Sequence, residues 1–429
     1  MSVLRSVPLG AVLLFAFALG ATPSALWAAT PVGTPTAAAS PRLRDALARV
    51  WKASPEVAAA RAELDAARAR ALAAAQPIYN PSLSLDAENA DVDRRTVGVS
   101  LALDLSGKRV ARASQGDAEV RVSEAGYDLL RRDVAARWLK AWSTAALAQK
   151  QSALGQRRLR LMQRFDDLAA QRLKVGDISS PERDLAALAL SDAQLQQANL
   201  ISDEASARAS LMAISGDRAS DDLLPLPDDL LPAVESVTAR PVDELPELHQ
   251  AQARQASAEA GVQVARRARI PDPTLSLTGG RVRSGALSER VIGVSVSVPL
   301  PVFNTGRADV AAAQSEADAT AAGVRARQFS LRAGLQEAQA RYTALRDASA
   351  AFRRSRAAAF EDRTALLERL WAAGEITTSD YLVQLKQSLD TALSGDELQS
   401  QTWQTWFDYL TAAGRLTDWL DGRTQDASR

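Results

Sequence analysis

Apolar and polar residues alternate one by one in only two stretches of this chain, and elsewhere the apolar positions recur at three- and four-residue intervals. The first alternating stretch runs from Asn80-Pro81-Ser82-Leu83-Ser84-Leu85 through Thr96-Val97-Gly98-Val99-Ser100-Leu101 to Gly107-Lys108-Arg109. The second runs from Asp272-Pro273-Thr274-Leu275-Ser276-Leu277 through Val291-Ile292-Gly293-Val294-Ser295-Val296 to Gly306-Arg307. In the first, Val97, Val99, Leu101, Leu103 and Leu105 fall on one face, with Gly98, Ser100 and Ala102 on the other. In the second, Ile292, Val294, Val296 and Val298 oppose Gly293, Ser295 and Ser297. A period of two predicts β-strands with one apolar and one small, polar face. Each stretch reads as a hairpin, the first turning around Asp91-Val92-Asp93. A lone hairpin is marginal in water. Strands of roughly 9–11 residues with this two-faced pattern suit a membrane barrel; the alternative is two hairpins packed on a soluble helical body.

The remainder reads as helix. Ser54-Pro55-Glu56-Val57 supplies a capping serine and a first-turn proline, and Pro77 and Pro81 end the helix that follows. From Gly107 to Gly176 there is no proline, and Tyr127, Leu130, Val134 and Trp138, then Leu154, Leu161, Phe165 and Leu168, form an apolar seam. Val175-Gly176-Asp177-Ile178-Ser179-Ser180 breaks that helix, and Ser180-Pro181-Glu182 opens another with Leu185, Leu188 and Leu195. A Pro- and Asp-rich connector follows, with Leu224-Pro225-Leu226-Pro227 and Arg240-Pro241-Val242-Asp243.

Then the pattern restarts. Leu245-Pro246-Glu247-Leu248 echoes Ser54-Pro55-Glu56-Val57, and Gly306 and Gly374 bracket a run almost as long as that between Gly107 and Gly176. The break recurs as Ala373-Gly374-Glu375-Ile376-Thr377-Thr378, followed by a helix lined by Leu382, Leu385 and Leu389. The chain is a tandem duplication. Its expected parts are a signal peptide over 1–29, a tether over 30–44, a first repeat over 45–215, the connector over 216–244, a second repeat over 245–420 and a flexible tail over 421–429. In each repeat one long helix matches two short ones stacked end to end beside it, giving a wall of constant height with hairpins at one end and Gly breaks at the other. Four strands cannot close a barrel, since single-chain barrels begin at about eight, and open edges are not tolerated in lipid. Several copies must therefore combine, two giving eight strands and three giving twelve.

Composition narrows the function. Over 429 residues the formal net charge is +0, so no basic footprint for nucleic acid is present. Arg5 before the apolar run Leu9 to Leu19, with small residues to Ala28 or Ala29, reads as an export signal. The absence of cysteine excludes disulfides, thiolate metal sites, a cysteine nucleophile and lipidation on Cys. His249 is the single histidine, in a helical frame, and there is no P-loop, dinucleotide fingerprint or zinc motif. No enzyme activity, cofactor or resident metal is expected; if metal ions are the cargo, they pass without binding.

Asn80-Pro81-Ser82-Leu83-Ser84-Leu85-Asp86-Ala87-Glu88-Asn89, then Leu105-Ser106-Gly107-Lys108-Arg109, then Pro301-Val302-Phe303-Asn304-Thr305-Gly306-Arg307, together with the paired Gly-Asp-Ile-Ser and Gly-Glu-Ile-Thr breaks, resemble the TolC-like outer-membrane efflux family. The chain is most similar to its heavy-metal (cobalt-zinc-cadmium type) branch, over about residues 42 to 420. The resemblance implies a mainly α fold with membrane β: long antiparallel helices forming an α-barrel tunnel, plus four strands per chain in a trimeric, twelve-stranded outer-membrane barrel. It implies a homotrimer that docks a periplasmic adaptor and, through it, an inner-membrane pump of the resistance-nodulation-division type, with outer-membrane lipid around the barrel. Many relatives carry a lipidated N-terminal Cys; this chain has none. The resemblance further implies adaptor docking at the tips Gly176, Asp177, Ile178 and Ser179, and Gly374, Glu375, Ile376 and Thr377. It makes Glu182 and Asp380, each six residues beyond a break glycine, candidates for a constriction; solvated helix charges are the alternative for both. The expected function is an exit duct of a tripartite efflux system, passing metal cations. A periplasmic adaptor or helical scaffold without a channel is the rival reading.

Overall fold

The computed structural model describes residues 39–89, 91–215, 223–227, 231–355 and 360–422. The expected signal peptide, the tether up to residue 38 and the tail from residue 423 lie outside the described residues. Where the end of the tether was expected there is a helix, α1 (Pro41–Ala53). Ser40 accepts the backbone N–H of Leu43, Pro41 takes the first turn, and Leu43, Leu47 and Val50 are buried on one face. The Pro- and Thr-rich composition before it masked this three-to-four spacing.

After α2 (Pro55–Ala74) come strands β1 (Ser82–Glu88) and β2 (Val92–Ala102), then α3 (Lys108–Lys174) and α4 (Ser180–Ser215). With 67 residues, α3 is about 100 Å long. Antiparallel to its first part runs α2, with Arg68 3.1 Å from Glu124 and Arg137 paired with Glu56. Along its far part runs α4, with Arg158 2.9 Å from Asp192 and Arg183 2.7 Å from Asp166. Short helices thus lie end to end beside the long one. The backbones of α2 and α3 approach closely at Gly116, where a Cβ would meet the Ala71 Cα at 2.9 Å.

Past the connector, with its short 3-10 turns Val234–Ser236 and Val242–Glu244, the order repeats: α5 (Pro246–Ala268), β3 (Thr274–Ser284), β4 (Leu287–Ser297), α6 (Arg307–Arg354), α7 (Phe360–Ala372), α8 (Thr378–Ala412) and the short α9 (Leu416–Asp421). Here the expected single long helix is not found. It stops at Arg354, where Ser355 turns extended and its hydroxyl bonds the Phe352 carbonyl at 2.6 Å. A back-bonding serine competes for helical carbonyls, and Arg353 and Arg354 favour a helix C-terminus through the dipole.

The strands form one antiparallel sheet in the order β1-β2-β3-β4. Its register aligns Leu83, Val99, Leu277 and Val294 in one row across all four strands. The row beside it, on the other face, is Ser82, Ser100, Ser276 and Ser295. Leu105 and Val298, expected on the apolar strand face, lie beyond the strand ends, as does Leu103, although its N–H still bonds the Pro273 carbonyl at 2.9 Å. Val92 and Asp93, expected in the first turn, belong to β2 and pair with Ser284 and Arg283 of β3; the longer partner strand draws them into the ladder. At the base of the sheet Asp272 accepts from the Tyr79 hydroxyl at 2.6 Å and from Lys108 Nζ at 2.8 Å, tying the two repeats together.

The main core packs α1, the middle of α3 and the ends of α8 and α9 around Trp138, Trp142, Tyr342, Trp406, Phe407 and Trp419. Aromatic donors fasten the connector onto it. Trp142 Nε1 bonds the Leu224 carbonyl at 2.9 Å, and the Tyr409 hydroxyl bonds that of Val237 at 3.0 Å. Arg240 then clasps Asp418 with bonds of 2.8 and 2.9 Å.

Candidate functional site

The sheet presents two chemically different faces. Leu83, Leu85, Val97, Val99, Leu277, Ile292, Val294 and Val296 are all exposed, Ile292 at 84%. An exposed, contiguous apolar face of this kind needs a nonaqueous partner. Both β1 and β4 are edges, each with one neighbour in the sheet. The opposite face carries Ser, Gly and Thr, and toward the hairpin turns it carries Asp86, Glu88 and Glu289, with Arg94 paired opposite Glu88. That end of the small-residue face is therefore acidic.

At the far end of the helices the two Gly breaks share one construction. Gly176 and Gly374 take left-handed φ values of 80° and 76°. The N–H of Gly176 bonds the Leu173 carbonyl at 3.1 Å and that of Asp177 bonds Arg172 at 2.9 Å; Gly374 and Glu375 repeat this to Trp371 and Leu370. Both are paired C-terminal closures that only a residue tolerant of positive φ forms without strain. A Cβ at either glycine would meet nothing within 4 Å, so the requirement is conformational and not one of space. Ile178 and Ile376 turn inward and pack on a second core of Met162, Phe165, Leu367, Trp371, Tyr381 and Leu385, while Asp177 and Glu375 stay exposed. Thr377 then caps α8 by accepting a backbone N–H, and Ser179 stands at the matching place before α4.

Glu182 and Asp380 occupy equivalent places in these caps. Glu182 Oε2 accepts from both the backbone N–H and the hydroxyl of Ser179, each at 2.8 Å. The backbone bond, then the hydroxyl, holds its carboxyl below the usual range. Thr377 Oγ1 accepts the Asp380 N–H at 3.1 Å and donates to Asp380 Oδ2 at 2.8 Å. Each acid thus serves its own helix start, with one half of a capping box at each: Glu182 accepts the Ser179 N–H, and Thr377 accepts the Asp380 N–H. Their charge still faces outward at the tip.

What joins the two tips is Phe165 of the apolar seam together with Arg172, Trp371 and Tyr381, which the sequence reading did not single out. Phe165 of α3 lies 4.4 Å from the Trp371 ring and 5.0 Å from the Tyr381 ring. Arg172 lies over Trp371 and donates to the Ala372 carbonyl at 3.0 Å. The available signal was positional: Arg172 and Trp371 both fall in the last turn before a break glycine, where cations and aromatics close helix ends. His249 is exposed on the first turn of α5. Among the described residues no three His, Cys, Asp or Glu side chains converge as a metal site, and no helix is long and apolar enough to cross a membrane.

The profile of the family described as "Outer membrane efflux protein" matches residues 46–217 and 243–414, one segment in each repeat. A protein of Cupriavidus metallidurans named "Cobalt-zinc-cadmium resistance protein CzcC" is 27% identical over 295 residues, which span 66% of this chain and 69% of that one. "Nickel-cobalt-cadmium resistance protein NccC" of Alcaligenes xylosoxydans xylosoxydans is 29% identical over 271 residues, 59% of this chain and 60% of that one. The crystal structure of the CmeC outer membrane channel of Campylobacter jejuni superimposes with a TM-score of 0.71 at 14% identity, covering 90% of this chain and 89% of that one.

Proposed function

This chain belongs to the outer membrane efflux protein family, and we propose that it is the passive exit duct of a tripartite pump for metal cations, assembled as a homotrimer. The observation that carries this reading is the four-stranded sheet, apolar outward and open at both β1 and β4. Edges of this kind are not tolerated in lipid, and four strands are too few to close. Three copies supply twelve strands, each β4 edge meeting the β1 edge of the next copy. A periplasmic adaptor or scaffold has no use for such a sheet. The helices continue the duct on the periplasmic side, and the tips at Gly176 and Gly374 meet a periplasmic adaptor, which links them to an inner-membrane pump of the resistance-nodulation-division type.

The metal cargo is supported by two independent features. The proteins that match it in sequence are named for cobalt, zinc, cadmium and nickel resistance. The small-residue face, which lines the lumen in this arrangement, ends in Asp86, Glu88 and Glu289, and a ring of carboxylates favours cations. The test is fractionation followed by the mass of the extracted complex. A detergent-requiring species of three chains in outer membranes supports the reading; a monomer in the soluble periplasmic fraction overturns it.

A further inference from the structure

On the outward face of the sheet the apolar rows give way to arginines. The register sets Arg95 opposite Arg281 and Arg281 opposite Arg290. These residues stand two positions beyond Val97, Gly279 and Ile292, so they share the face of the exposed apolar residues. All three are exposed. One row further, Arg283 lies between Asp93 and Ser288. Asp93, 3.4 Å from Arg95, is the one carboxylate paired into these two rows on this face. Strands lie about 4.8 Å apart, and like charges directly opposite one another destabilise a sheet. Asp93 offsets part of the repulsion at Arg95, but the other acids near the row are turned away: Glu289 is next to Arg290 in sequence yet, with Asp86 and Glu88, sits on the opposite face. The two faces are therefore sorted by charge, basic outside and acidic inside.

The height of the row identifies what neutralises it. Below the strands Leu105, Leu300, Val302 and Phe303 are exposed at 75%, 76%, 72% and 101%, extending the apolar surface toward the helices. From Ala102 up to Arg95 the strand covers about 23 Å, or about 18 Å of height at a barrel tilt near 40°, and the exposed apolar residues below the strand end extend this toward the apolar band of about 25 Å in such barrels. The arginine row then stands at headgroup level, on the side away from the helices. A guanidinium there offers the planar fork that matches phosphate oxygens in pairs.

We propose that Arg95, Arg281 and Arg290 form a docking row for the phosphate-bearing headgroups of lipids in the leaflet facing away from the helices. The row repeats on every copy and forms a basic belt around the barrel. The proposal rests on the membrane reading of the sheet given above.

The experiment uses the full chain extracted from outer membranes and native mass spectrometry with lipid A carrying two phosphates as the probe. Wild type, R95Q/R281Q/R290Q, the corresponding triple Lys variant and the inner-face variant Arg94→Gln are compared. The triple Gln variant should lose affinity on the order of a hundredfold, since each surface cation contributes about a factor of five. The triple Lys variant should lose less than about tenfold and Arg94→Gln less than about twofold, and wild-type binding should weaken as salt rises. Equal binding by wild type and triple Gln, or equal binding of lipid A stripped of its phosphates, overturns the proposal. So does full displacement by millimolar inorganic phosphate, which makes the row a free-anion site. If the triple Gln variant does not assemble, the single variant Arg281→Gln gives the reading, with a loss of about fivefold expected and no loss contradicting it. Failure of wild type to reach the outer membrane refutes the membrane reading instead.

Discussion

The Arg172 guanidinium lies 4.8 Å from the centre of the Trp371 ring, so a residue closing the long helix of the first repeat covers an aromatic in the last turn of α7 in the second. The same side chain donates to the Ala372 carbonyl at 3.0 Å. Two nearly equivalent helix turns are thereby locked to one another at the end of the molecule farthest from the sheet.

Arg172→Ala should loosen that lock by about 1–2 kcal/mol, the sum of a partly exposed cation–π contact and one hydrogen bond. Amide exchange should accelerate around Glu375 and Ile376 and stay unchanged around Trp406 and Leu410 in the main core. Unchanged exchange at the tip would show that the aromatic cluster alone holds the halves together.

Val99→Arg and Ser100→Arg test the faces of the sheet. Val99 sits in the apolar row with Leu83, Leu277 and Val294, and Ser100 in the small polar row with Ser82, Ser276 and Ser295. A lipid-facing arginine near the membrane centre costs about 2–4 kcal/mol, whereas a lumenal one is tolerated. Outer-membrane yield should fall for Val99→Arg and hold for Ser100→Arg. Val296→Arg and Ser295→Arg should repeat the contrast, and equal yields within either pair would contradict the assignment.

Gly176→Trp with Gly374→Trp should abolish efflux and leave assembly intact. Both glycines are at positive φ with open space around them, so the change strains two turns by about 1–2 kcal/mol each and places a bulky ring on the tip. Metal resistance in growing cells and the mass of the extracted complex read the two effects separately. Normal resistance in the double variant removes the docking role.

Acid should weaken the belt around the connector. Burial pushes the Asp418 carboxyl up, but the hydrogen bonds from Arg415 and Arg240 outweigh it and hold the group below its usual range. A carboxyl depressed on folding stabilises the protein fully above its unfolded value near ~3.9, and that contribution is lost as pH falls through the folded value. Asp418→Asn should therefore lower the melting temperature at pH 7 and flatten its fall below about pH 4. A parallel acid profile in the variant would show that other carboxylates govern the transition.

Much of the molecule could be read before its structure was known because its signals are periodic. The alternation at Val97, Val99 and Leu101 and the repeated Gly-acid-Ile-Ser/Thr breaks depend on local sequence, and each reappears in the sheet and the tips. The start at Pro41 was obscured by the surrounding Pro and Thr, and the stop at Arg354 lacked the usual glycine or proline, ending instead on a serine that bonds backward. Glu182 and Asp380 were singled out by their spacing from the break glycines, but their bonds to Ser179 and Thr377 are cap chemistry that this spacing does not reveal. The pairing of Arg172 with Trp371 depends on how two distant halves dock, which no local pattern encodes.

The central claim is a cation-passing channel, and its most direct test is the reversal potential of the purified complex in a planar bilayer under a salt gradient. We propose that in the trimer copies of Asp380 and Glu182 ring the converging tips as an acidic constriction, where focused negative potential would attract cations. The account predicts small currents at rest that favour cations, a weaker preference in Asp380→Asn, and reversal or block in Asp380→Arg. Anion-selective currents in the wild type, or no current from correctly assembled complex, would contradict it.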